Sequence, residues 1–208
     1  RVAPHVPVLM RTRYFLERCP GPTIGITGSS GKTTTTSLVA AMMAAGGRPY
    51  RVGGNIGTGL LGLLDGIDER TWTVMEISHT QLQLTNRSPH ISAVLNVTPN
   101  HLDQFSWDEY VALKQNLVRY QTGDDYVVLN LDDDVSAAIT DITPAQPAFF
   151  TLGESVPGNG AFVRDRAVFL HHGGIESMVL PVDEIPLRGM HNVSNVLAAT
   201  AIAAAAGI

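Results

Sequence analysis

The segment Ile24-Gly-Ile-Thr-Gly28-Ser-Ser-Gly31-Lys32-Thr-Thr34 constrains the fold more than any other stretch of this 208-residue chain. An apolar run of strand length breaks into a loop framed by glycines, then passes through a lysine and two hydroxyl residues into a helical stretch. Between Gly28 and Gly31 the backbone can aim successive N–H groups at one point, because glycine accepts positive φ and carries no Cβ. The helix that starts at Lys32 directs its positive dipole end at the same place. Gly28, Ser29, Ser30, Gly31, Lys32, Thr33 and Thr34 therefore form a candidate phosphate cradle. Within it Lys32 neutralises the terminal phosphates and Thr33 offers its hydroxyl to a magnesium ion. The general G-x-x-x-x-G-K-[ST] loop has glycine where this chain has Ile26, so the match is to a shorter G-x-x-G-K-T-T form.

Apolar runs of strand length alternate with helical stretches through the first 150 residues. Strands are predicted at 23–27, 49–52, 73–77, 93–97, 126–129 and 148–151, and helices at 32–45, 57–64, 106–120 and 132–140. Ser106-Trp-Asp-Glu109 reads as a capping box. Such alternation implies an α/β fold of the P-loop type, a mostly parallel sheet with helices on both faces. From residue 160 to about 187 the texture changes to short segments, 161–164, 167–171 and 177–180, which read as a small antiparallel meander. A last helix, 192–206, is expected to return to the main sheet.

With 44% apolar and 16% charged residues the composition is that of an ordinary soluble domain. A net charge of −5 argues against nucleic acid or an anionic membrane as partner. No apolar run reaches the roughly 18 residues of a membrane span. The single cysteine, Cys19, excludes an intrachain disulfide and fits a cytoplasmic location. The start without methionine and the alanine-rich end at Gly207 are expected to be cuts from a longer protein.

In a parallel α/β sheet, ligands sit beyond the carboxyl ends of the strands. Glu76 closes one apolar run, where a carboxylate is costly unless a cation or strong donor meets it, and it reads as a magnesium ligand. His101 and Asp103 lie in the loop after another strand, where a surface turn explains them equally well. Lys114, on the helix from Ser106, reads by itself as a snorkelling surface lysine. Asp132-Asp-Asp134 reads as helix-opening acids, and His171-His172 as a solvated hairpin end. Asn192 is either a helix cap or, with Asn195 one turn on, a hydrogen-bonding pair for a nucleotide.

Taken in order, Gly28-Ser-Ser-Gly-Lys-Thr-Thr, Gly53-Gly-Asn55-Ile-Gly57, Glu76-Ile-Ser78-His-Thr-Gln81-Leu, Asn96-Val-Thr-Pro-Asn-His101-Leu-Asp103, Tyr110-x-x-x-Lys114 and Gly189-Met-His-Asn192-x-x-Asn195 resemble the central domain of the Mur ligases. The resemblance implies a domain over 21–208, preceded by a 1–20 tail from a UDP-binding domain and lacking a C-terminal domain. It implies ATP and two magnesium ions as cofactors, with Lys32 and the loop amides on the triphosphate and Thr33 and Glu76 on the first ion. His101 and a carbamylated Lys114 would hold the second. Asn55, Ser78 and Gln81 would lie near the substrate, and Asn192 and Asn195 near the nucleotide. The implied activity is a cytoplasmic, monomeric, ATP-dependent ligase joining UDP-linked muramoyl-alanine to D-glutamate, with this piece alone inactive. The sequence departs from the family's usual residues at Ser30 (asparagine), His79-Thr80 (Ser-Phe) and Asn100 (aspartate). A self-contained P-loop kinase or NTPase, which would need an arginine finger that the sequence does not evidently offer beyond the bare presence of Arg48, Arg51 and Arg119, and a non-catalytic nucleotide-binding module are the alternatives.

Overall fold

The alternating apolar runs become β1 (Thr23–Thr27), β2 (Tyr50–Gly54), β3 (Trp72–Glu76), β4 (Ile91–Val94), β5 (Tyr126–Asn130) and β6 (Gln146–Thr151) of the computed structural model, which describes residues 9–208. Three more strands, β7 (Gly160–Arg164), β8 (Ala167–His172) and β9 (Ile175–Pro181), complete one sheet in the order β2-β3-β1-β4-β5-β6-β7-β8-β9. The predicted meander thus extends the main sheet. Its first strand, β7, pairs in parallel with β6, and only the β7–β8 and β8–β9 pairs are antiparallel.

Helices α1 (Arg11–Arg18), α2 (Lys32–Ala45), α3 (Trp107–Gln115), α4 (Asp134–Ala137) and α5 (Met190–Ala205) cover both faces. Alternate strand residues sort onto the two sides, as a side-chain period of two requires. Ile24, Ile26, Val74 and Val128 meet Val39 and Met43 of α2 and Leu197 and Ile202 of α5. Met75, Val94, Val127 and Leu129 meet Phe15 of α1, Tyr110 of α3 and Leu117. The strand and helix positions read from sequence hold in outline, although the strand predicted at 93–97 runs instead over Ile91–Val94, and the helices are the less accurate part. The stretch predicted as a helix at 57–64 is a 3₁₀ segment, Leu60–Gly66, preceded by Gly57 and Gly59, residues that disfavour an α-helix. The helix predicted to reach 120 ends at Gln115, where Leu117 and Val118 bond the carbonyls of Lys114 and Gln115 in tighter i→i+3 fashion. The one predicted at 132–140 is only four α-helical residues followed by a 3₁₀ segment, Ala138–Ile142.

Helix α1 lies inside the stretch expected to be a tail, and Phe15 anchors it with no exposed surface. The rest of that expected tail, residues 1–8, lies outside the described residues. Among the described residues no helix is long and apolar enough to cross a membrane.

Register places the future site. Ile26 and Gly54 both pair with Glu76, and Thr27 pairs with Val94, so the carboxyl ends of β1, β2, β3 and β4 form one row.

Candidate functional site

The loop between β1 and α2 is held open by its neighbours. Ser29 donates its amide to the Asn96 carbonyl at 2.9 Å, and the Ser30 amide donates to Asn96 Oδ1 at 2.9 Å. The Ser29 hydroxyl donates to the Thr98 carbonyl at 3.1 Å and lies 3.2 Å from the Tyr110 hydroxyl. Gly31 has φ of +81°, and a Cβ there would lie 2.3 Å from Asn195 Oδ1, so both conformation and space demand glycine. Lys32 folds back and donates to the Gly28 carbonyl at 2.9 Å. Burial lowers its pKa, against the opposing pull of Glu76.

Glu76 is 2% exposed, and among the described residues its carboxylate has no ion-pair partner. Thr33 donates its hydroxyl to Oε2 at 2.7 Å, and Asn55 donates its side-chain amide to Oε1 at 2.8 Å. Gly54 sits so close that an added Cβ would lie 2.2 Å from the Glu76 carbonyl, which lets Asn55 turn back and bond that same carbonyl through its amide. A carboxylate beside a hydroxyl at a helix start is a donor set suited to Mg²⁺, a hard ion that keeps several waters and takes few protein oxygens.

Lys114 is 1% exposed, which corrects its reading as a surface lysine. Helix α3 turns that face inward because Tyr110, one turn earlier, is itself buried, and the amine donates to the Gly28 carbonyl at 3.0 Å and the Thr27 hydroxyl at 3.2 Å. Burial, reinforced by the Lys32 charge, pushes its pKa down to about 7. The two amines face one cavity of about 310 Å³, together with Asn55, Ser78, His79, Asn100, His101 and Tyr110. Ser78 and Gln81 form their own turn, in which the Ser78 amide and hydroxyl both donate to Gln81 Oε1.

Residues 26–203 match the Mur ligase middle domain family. The chain belongs to the Mur ligase family. The UDP-N-acetylmuramoylalanine--D-glutamate ligase of Symbiobacterium thermophilum is 44% identical over 194 residues, covering 92% of this chain and 43% of that protein. The ligase of the same name from Koribacter versatilis is 37% identical over 205 residues, covering 98% of this chain and 45% of that protein. The chain thus spans less than half the length of these relatives. The crystal structure of MurF from Acinetobacter baumannii shares the fold, with a TM-score of 0.72 at 24% identity over 96% of this chain and 46% of that one.

Within this Mur ligase domain the residues singled out by sequence divide into three groups. Gly28, Ser29, Lys32, Asn55, Ser78, His101 and Lys114 line the cavity. Thr33 and Glu76 bond each other beside Lys32, and Gln81 braces Ser78 from behind. Asn192 and Asn195 stand apart from the cavity lining. Gly189 caps α5, so Asn192 lies inside the first turn, where it donates to the Arg188 carbonyl, and Asn195 is bonded to Asn192 and Thr35. Asp133 caps α4 through the Ser136 amide, and His171-His172 ends β8 at a Gly173-Gly174 turn, as expected of both. Arg48 and Arg51 bond the carbonyls of Gly207 and Tyr50, and neither they nor Arg119 line the cavity.

Sequence reasoning gave no role to Asn96, whose side chain brackets Ser30 from both sides by accepting its amide and donating to its carbonyl. An asparagine at the end of the strand beside the loop was the available signal. His79 and His101 also meet, with ring centroids 4.2 Å apart, and burial together with the charges of His101, Lys114 and Lys32 lowers the His79 pKa.

Proposed function

We propose that this domain is the ATP-binding centre of a ligase that activates the carboxylate of UDP-N-acetylmuramoyl-L-alanine for attack by D-glutamate. The observation that carries the reading is the convergence of Lys32, Lys114 and His101 on one cavity, with the Thr33–Glu76 pair at its side and D-glutamate ligases as relatives over nearly the whole chain. Lys32 and the loop amides hold the triphosphate and stabilise the charge that develops on the γ-phosphoryl group as the substrate carboxylate attacks it. The acyl phosphate so formed gives up phosphate when the amine of the amino acid adds to its carbonyl carbon. Asn55, Ser78 and Gln81 orient the muramoyl-alanine end, and Asn192 and Asn195 lie toward the nucleotide.

Thr33 and Glu76 would hold one magnesium ion and His101 with a carbamylated Lys114 a second, and the ions would supply charge neutralisation. Lys114 is suited to carbamylation because only an unprotonated amine attacks carbon dioxide, and an amine with a pKa of about 7 is largely unprotonated above neutrality. The N–C bond forms with loss of a proton, and the cation becomes an oxygen ligand. The buried site keeps water from the acyl phosphate when the remaining domains close over it, and this piece by itself is expected to be inactive.

The test uses the full-length protein with ATP, Mg²⁺, the muramoyl-alanine nucleotide and D-glutamate. ADP release that requires both substrates is expected. Release without the amino acid would point to a nucleotidase, and a Lys114→Ala variant of unchanged activity would remove the carbamate role.

A further inference from the structure

The backbone amides of the phosphate loop fall into two sets. Those of Ser29 and Ser30 are bonded inside the protein, the first to the Asn96 backbone carbonyl and the second to Asn96 Oδ1, both at 2.9 Å. Those of Gly31, Lys32, Thr33 and Thr34, at the start of α2, have no acceptor among the described residues. They are the donors that a helix leaves without a partner in its first turn, at the end of the dipole that favours an anion. What separates the two sets is Asn96, two residues beyond β4. Its side chain pairs with the Ser30 peptide in both directions, since Nδ2 also donates to the Ser30 carbonyl at 3.2 Å. The Ser30 hydroxyl reaches only the same Oδ1, at 3.3 Å, so every hydrogen bond of Ser30 among the described residues goes to this one side chain. A side-chain amide suits this place because it offers an acceptor and a donor side by side.

Asn96 is fixed from behind in its turn. Asn130, 7% exposed, donates its side-chain amide to the Leu95 carbonyl at 2.8 Å. Asp133 accepts the Val97 amide at 3.0 Å with one carboxylate oxygen while the other caps α4 through the Ser136 amide. On the next residue the Ser29 hydroxyl both accepts the Thr98 amide at 3.0 Å and donates to the Thr98 carbonyl at 3.1 Å. Residues 95–98 therefore form a braced edge against which the loop is set. We propose that Asn96 is a positioning residue for phosphoryl transfer: by holding the Ser30 peptide it turns the Ser29 and Ser30 amides away from the nucleotide and sets the Gly31–Thr34 amides, with Lys32, against the terminal phosphates. The inference rests on the reading of this loop as the triphosphate site and adds which of its donors act there. Bonds to the transferring group strengthen as charge moves onto it, so a small shift of these amides acts on ATP and on turnover together.

The experiment uses the full-length protein and its Asn96→Asp variant, which keeps the size and the acceptor of the side chain but sets a second oxygen, in place of the donor, against the Ser30 carbonyl. Titration calorimetry with ATP and Mg²⁺ is expected to show affinity about tenfold weaker, and kcat is expected to fall at least about tenfold, with KM unchanged for the muramoyl-alanine nucleotide and for D-glutamate. A merely structural role would lower the active fraction, and so kcat, without moving ATP affinity. A fall in kcat alone, a fall in affinity alone, an equal loss for all three substrates, or no change in a folded variant each overturns the proposal. A second measurement needs no variant: in a crystal structure of the unaltered full-length protein with ADP and Mg²⁺, the Ser29 and Ser30 amides are expected to stay on Asn96, and a phosphate oxygen accepting either one overturns the proposal. If the unaltered protein binds ATP and turns over but the variant equals it, the positioning role fails and the reading of the loop stands. If the unaltered protein binds no ATP, both fail.

Discussion

The carboxyl edge of β1–β4 and the β7–β9 end of the same sheet treat charge in opposite ways. At the first, Lys114 and Glu76 are 1% and 2% exposed and are met by neutral partners, a carbonyl, hydroxyls and an amide. At the second, Arg164 pairs with Glu176 and Arg166 with Asp183 on the surface. Arg164 also lies over the stacked rings of Phe162 and Phe169. Water screens the surface pairs, so they cost little and contribute little. The buried groups form no ion pair, Glu76 feeling only the more distant pull of Lys32, and their cost is tolerated where charged ligands arrive. Unpaired buried charge, more than the number of charges, marks the functional end.

Four substitutions probe that contrast. The largest effect is expected for Gly31→Ala, which forces a Cβ toward Asn195 Oδ1 at positive φ and should destabilise the fold by about 3 kcal/mol. Urea denaturation would show it, and an unchanged midpoint would mean that the loop and α5 are not packed as described. Lys114→Met comes next, with a pH signature. In the unfolded chain the amine keeps its ordinary pKa near 10.5, whereas in the fold it is about 7. Between those values the unfolded chain binds more protons, so native stability rises with pH across the window and the full cost of the buried cation is present below it. In bicarbonate-free buffer the substitution should therefore stabilise the protein by about 2 kcal/mol more at pH 6 than at pH 8.5. A pH-independent effect would contradict the burial.

Ser106→Ala removes the cap of α3, whose hydroxyl accepts the Glu109 amide, and should cost about 1 kcal/mol in thermal or urea unfolding. Because α3 carries Tyr110 and Lys114, a small loss of stability with a disproportionate loss of nucleotide affinity would tie the helix to the site. Arg164→Ala should be the mildest, leaving the unfolding midpoint unmoved and ligand binding intact. A marked loss of either would erase the distinction between the two ends of the sheet.

The strands were legible because each carries a short apolar run bounded by loop residues, and the phosphate loop because glycine, lysine and threonine stand in fixed register beside it. Glu76 was legible for a related reason, since an acid closing an apolar run must be met by something. Lys114 was not, because a lone lysine on a helix of weak amphipathicity gives no sign of which wall it faces until Tyr110 and the loop pack around it. Helix α1 escaped notice because its arginines mask a short buried face, Thr12 and Phe15. The helices that proved short or 3₁₀ were overestimated because glycines and tight terminal turns limit them locally.

By itself the sequence determined the α/β alternation, the strand-to-helix loop at Gly28–Thr34 and the residue types that could meet a phosphate and a metal, since these follow from local conformation and chemistry. Only the tertiary structure decided which of them meet. Parallel register set the ends of β1 to β4 in one row, which buried Lys114 against Gly28, bonded Thr33 and Asn55 to Glu76 and brought His79 against His101. Those contacts join segments distant in the chain, and their geometry depends on strand order and packing that no local pattern encodes.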